Sequence, residues 1–141
     1  MPRLQPFGFS RTTMELTVPF TGFLTVVAVN RLLSKTLGFA CVLERVEIAT
    51  NVVGTGAGAT RALNIRKGTA AGTTCGTVTA DLANQGTLGV VTVGTVTTAA
   101  GANVFTDTDT LTVEFPNAGT AFTAGGFDLI LTFRALNQRA V

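Results

Sequence analysis

Phe127-Asp128-Leu129-Ile130-Leu131-Thr132-Phe133-Arg134 is the stretch on which the fold reading turns. Phe127, Leu129, Leu131 and Phe133 are all large and apolar and fall on every second position. Successive side chains of a strand point to opposite faces, so a strand here carries all four on one side. Asp128, Thr132 and Arg134 take the other side, joined there by Ile130. Such a strand needs a second apolar layer to cover it, which is the premise of a two-sheet fold.

The same rhythm recurs outward from this segment. In Asp109–Phe115, Leu111, Val113 and Phe115 alternate with Thr110, Thr112 and Glu114. Arg61–Lys67 sets Leu63 and Ile65 inward against Asn64 and Arg66, and Val46 and Ile48 alternate with Arg45 and Glu47 up to about Asn51. Val78, Ala80 and Leu82 share a face, and Leu88–Thr98 reads as one Val/Thr strand. Met14–Phe20 is a further strand, with Leu16, Val18 and Phe20 on one face. Pro19 cannot donate to a ladder, so this strand belongs at a sheet edge or ends there. Phe23–Val29 is another strand candidate, whereas Arg31–Phe39 has possible helical spacing and is read as a single helical turn or a loop. Turn signals separate the runs: Thr21-Gly22, Val53–Thr60, Gly68–Gly76, Asn84–Gly86, Ala99–Asn103 and Pro116-Asn117 with Gly119. About eight short antiparallel strands separated in this way predict an all-β fold, a β-sandwich or jelly roll. Residues 14–141 form its single domain. Residues 1–13, with Pro2, Pro6, Phe7 and Phe9, form an extended N-terminal arm.

Composition bounds the function. Only 13% of the 141 residues are charged, about half the usual share, while mean hydropathy is +0.45. No apolar run approaches the roughly 18 residues a membrane-spanning helix needs. The chain has no His, Tyr or Trp, so Ser-His-Asp, Cys-His and His-zinc sites cannot be assembled within it. Ten basic against eight acidic residues, dispersed along the chain, make no basic stripe for nucleic acid. Residues 1–20 lack the apolar core and cleavage site of a signal peptide, so Cys41 and Cys75 are expected as reduced, half-buried thiols.

Three motifs invite a chemical reading and fail it on context. Gly54-Thr55-Gly56-Ala57-Gly58-Ala59 precedes a strand, whereas a phosphate loop needs a helix N-terminus after it. Asp107-Thr108-Asp109 lacks the further oxygen ligands of a calcium loop and reads as turn residues. Glu44 and Glu47 are an odd number of residues apart, so a regular strand puts them on opposite faces and leaves no carboxylate pair. The reading is therefore of a non-enzyme with no catalytic, metal or cofactor-binding residues and no cofactor. The arginines (Arg45, Arg61, Arg66, Arg134 and Arg139) are expected on outward faces or strand ends, in solvated or interface ion pairs. Arg3, Phe7, Phe9, Arg11, Arg134 and Arg139 are the candidate protein-interface residues: aromatic surface on an arm favours burial, and arginine favours interface carboxylates.

Several segments together resemble the capsid decoration, or cement, proteins of tailed bacteriophages. They are Leu43–Thr50 (LERVEIAT), the Gly/Ala/Thr loop, Arg61–Gly68 (RALNIRKG), Asp109–Phe115 (DTLTVEF), Leu129–Arg134 (LILTFR) and the early Leu16–Phe20 (LTVPF). The resemblance covers roughly residues 14–136 and is one of strand and turn style. It implies a β-rich homo-oligomer, a trimer, seated on the outer face of an expanded head. There it would bridge major capsid proteins and stabilise the head against internal pressure. It implies no nucleic-acid, membrane or small-molecule partner, synthesis in the host cytoplasm, and no inherited catalytic site. The low charge agrees, because a hydrophobic excess of this kind is covered by assembly. Two other readings share the pattern: a receptor- or carbohydrate-binding module of a tail fibre or spike, and a tail-tube or connector component.

Overall fold

The computed structural model describes residues 13–21, 25, 30–69, 71–115 and 119–136. Among them the strands are β1 (Thr13–Thr21), β2 (Asn30–Thr36), β3 (Cys41–Thr55), β4 (Thr60–Lys67), β5 (Thr73–Asp81), β6 (Val91–Val93), β7 (Thr95–Val96), β8 (Val104–Phe105), β9 (Thr110–Phe115) and β10 (Ala124–Ala135). A four-residue helix, α1 (Leu82–Gln85), follows β5, and a 3-10 turn spans Ala99–Gly101. All pairings between strands are antiparallel.

The strands make two sheets. One runs β1-β10-β3-β6, with β8 also on β3; the other runs β2-β9-β4-β5-β7. The first strand pairs with the last and the second with the last but one, the nested order of a double-sheet jelly roll. Phe127, Leu129, Leu131 and Phe133 are all fully buried on the inner face of β10, as the alternation predicted. Val46 and Ile48 from β3, Leu63 and Ile65 from β4, and Leu111 and Val113 from β9 complete the layer between the sheets. Edge-to-face ring contacts, Phe20 with Phe127 at 5.4 Å and Phe105 with Phe133 at 5.9 Å, lock its aromatic part. β3 runs on to Thr55 and so takes in Val53, Gly54 and Thr55 of the predicted loop, and the glycine-rich turn proper begins at Gly56.

Several expectations are corrected, each for an identifiable physical reason. Arg31–Phe39 is not a helical turn: Asn30–Thr36 forms β2 against β9, and the register slips between Arg31 and Leu33. A bulge of this kind breaks the period of two, which is why the segment loses its strand signature in sequence. Leu88–Thr98 is not one strand. It divides at Gly94 into β6 on the first sheet and β7 on the second, with Gly94 N–H donating to Val46 O at 2.8 Å. A Cβ at Gly94 would lie 2.3 Å from Thr77 O, so only glycine lets the chain cross between sheets there. Leu82 does not continue the face of Val78 and Ala80. Asp81 and Asn84 form a reciprocal capping box that starts α1 and turns Leu82 outward, 37% exposed. The expected strand at Phe23–Val29 and the turn at Pro116-Asn117 fall largely outside the described residues.

Candidate functional site

Glu44 and Glu47, expected on opposite faces, both stand on the outer face of the first sheet. The register of β3 on β10 slips between Thr132, opposite Arg45, and Phe133, opposite Leu43. Glu44 is thereby an extra residue, a β-bulge that re-aims one side chain. The outcome is two outward ion pairs: Arg134 Nε to Glu44 Oε1 and Arg45 Nε to Glu47 Oε1, both at 2.7 Å. Register then places Thr17, Ile130, Glu47 and Val93 in one row across this face, and Pro19, Asp128, Ala49 and Val91 in the next. Val91 and Val93 are more than half exposed, and Leu88 just before them is 60% exposed. Asn51 Nδ2 donates to Asp128 Oδ1 at 2.9 Å and ties down the nearest carboxylate.

The outer face of the second sheet is built differently. Thr112 and Glu114 alternate outward on β9 as predicted, yet both are buried. The turn after β4 folds over them, with Thr112 Oγ1 donating to Gly68 O. Arg66 Nε donates to Glu114 Oε1, and its Nη1 donates to Gly72 O at 3.0 Å and Thr74 Oγ1 at 2.8 Å. One guanidinium thus joins β4, β5, β9 and the turn. Arg61 departs further from its expected outward position: it is fully buried, facing inward beside Leu63, and burial pulls its pKa down.

Of the candidate interface residues, the structure places Arg134 on the outer face of the first sheet, paired with Glu44. Arg3, Phe7, Phe9, Arg11 and Arg139 lie outside the described residues. The cysteines are free and fully buried, deeper than the half-buried position expected. Burial pushes the Cys41 thiol up to about 11 and that of Cys75 up to about 12, the latter against a smaller downward pull from a backbone hydrogen bond and from Lys67. Both are therefore neutral thiols at physiological pH, without the thiolate a nucleophile requires. Among the described residues no group of three or more His, Cys, Asp or Glu could hold a metal ion. Asp109 caps its own turn, its Oδ2 accepting from Thr106 N–H at 2.8 Å.

One concave feature was missed in the sequence. Where the edge strands β1 and β2 of the two sheets approach each other, a cavity of about 220 Å³ opens, lined by Met14, Glu15, Leu16, Lys35, Leu37, Phe39 and Phe133. Its residues come from three separated parts of the chain, so no local motif announces it.

The described residues thus define a jelly-roll β-sandwich that exposes Leu88, Val91 and Val93 and carries two ion pairs on the outer face of its first sheet. No protein-family model matches the chain, and no curated protein matches it. Among solved structures it is similar to a chain of the cyanophage Pam1 capsid asymmetric unit, with a TM-score of 0.53 and 17% identity. The likeness covers 96% of this chain and 91% of that one, and it shows a shared fold.

Proposed function

We propose that the protein is a structural component of a phage virion, a capsid decoration or cement protein. In this reading it assembles as a homo-oligomer, a trimer, on the outer face of the head and bridges neighbouring major capsid proteins. It is made in the host cytoplasm and does no catalysis. The observation that carries the proposal is the fold likeness to a chain of a phage capsid asymmetric unit along nearly the whole sequence. The unusually low charge, with half-exposed valines at the β6 edge, supports it, since such surface is normally covered by a partner. The outer-face arginine–glutamate pairs supply polar groups that a protein partner can engage.

The deciding experiment adds purified protein to expanded phage heads that lack their own decoration protein. Saturable binding, with a rise in the melting temperature of the heads, is the expected result. Heads that sediment without the protein and melt unchanged would overturn the proposal.

A further inference from the structure

The inner faces of β1 and β2 are left incompletely covered. Leu16, Val18, Leu33, Leu37 and Phe39 pack against the core but remain partly exposed, and Met14 is 36% exposed. These residues border the side of the sandwich where the 220 Å³ cavity opens. An apolar cavity of about 150 Å³ is large enough to hold a benzene ring, so this one accepts a phenyl side chain. Its walls are predominantly apolar, with one acid and one base, Glu15 and Lys35, among the lining residues. β1 and β2 are also the terminal strands of their sheets, so each has a lateral edge without a neighbouring strand among the described residues. Free edges of this kind accept an added extended segment.

The chain carries a segment suited to this groove. Residues 1–12 precede β1, and Phe7 and Phe9 fall at alternate positions, so an extended chain presents both rings on one side. Pro2 and Pro6 favour extended backbone at the residues before them. Twelve extended residues span up to about 40 Å, enough to reach an adjacent copy. A return of the segment into the groove of its own chain would require a reversal within Ser10-Arg11-Thr12-Thr13, which holds no Gly, Asn, Asp or Pro and only Ser and Thr, whose hydroxyls favour turns more weakly.

We propose that the groove between β1 and β2 receives the Phe7–Phe9 segment of a second copy of this chain, so that neighbouring copies exchange N-terminal arms. Donor segment and acceptor groove are different patches, so exchange closes either reciprocally in a pair or around a ring. The inference stands apart from capsid binding: a chain that exchanged arms but ignored phage heads would satisfy it.

Two measurements on the full chain decide it. Native mass spectrometry at micromolar concentration is expected to show an oligomer, and Phe7→Ser with Phe9→Ser is expected to weaken association about a hundredfold or more. A monomeric parent chain, or an association unchanged by the double variant, overturns the proposal. The second measurement keeps both rings in place. Isotope-labelled Ser10→Cys chains are mixed with Lys35→Cys chains and treated with a flexible bis-maleimide, while buried Cys41 and Cys75 stay out of reach. A covalent heterodimer supports exchange. Absence of the heterodimer overturns it, as does a link formed only within single chains carrying both substitutions.

Discussion

Two arginine–glutamate pairs on opposite outer faces show how differently one contact can function. Arg134 and Glu44 meet through Nε and Oε1 with about a third of each side chain in solvent. Arg66 and Glu114 meet through the same atoms, but the carboxylate is only 4% exposed and a turn lies across it. Exposed pairs contribute at most about 1 kcal/mol, because water screens the attraction and two long side chains lose freedom. A covered pair is costly to break, since the surviving charge is stranded away from water. The first sheet therefore keeps its charges available to a partner, whereas the second uses its charge to hold itself together.

The sharpest way to break this contrast is Arg66→Ala. It removes the arginine that joins three strands and a turn and leaves the Glu114 carboxylate buried, so a loss of about 3–5 kcal/mol in unfolding free energy is expected by denaturant titration. Glu114→Ala should cost less, because Arg66 is one-fifth exposed and keeps Gly72 O and Thr74 Oγ1 as acceptors. The opposite ranking would show that the turn, not the charge, governs the site.

Gly94→Ala tests the crossing between the sheets. The added methyl would press on Thr77 O and on Val78, 2.8 Å away, and should destabilise by about 1–3 kcal/mol in the same assay.

Alkaline pH probes the layer between the faces. Both thiols titrate at higher pH folded than the ordinary 9.0, so the unfolded chain loses their protons first. Their contribution to stability is full below pH 9 and is lost as pH rises through about 11 and 12. Cys75→Ala should flatten that decline relative to the parent chain.

The smallest effect belongs to Arg134→Ala, expected within about 1 kcal/mol, with a double-mutant cycle against Glu44→Ala giving a coupling of the same order. A coupling comparable to that of the Arg66–Glu114 pair would erase the distinction between the faces.

Much of the architecture was legible because strand periodicity is local. The inner rows of β10, β9 and β4 follow directly from the spacing of their apolar residues. The readings failed where a single residue shifts the period. Glu44 adds one position to β3 and reverses the expected relation to Glu47, and the slip at Leu32 hides β2. For the candidate site, residue type and position nominate Arg134 as an interface residue, and the structure shows it outward and paired with Glu44. Met14, Leu37 and Phe39 were missed as groove residues because their proximity arises only when β1 and β2 end opposite sheets.

The linear order of residues is enough to make the chain all-β and to leave it without His, the commonest general acid–base residue, and without Tyr or Trp. It also settled which face of most strands is apolar, since these properties depend on composition and on neighbours two residues apart. Tertiary structure alone decided which strands share a sheet, where the chain crosses at Gly94, and which charges are covered. It also created the groove between β1 and β2. Those outcomes depend on contacts between residues distant in the chain, and backbone pairing combines them in ways no local period encodes.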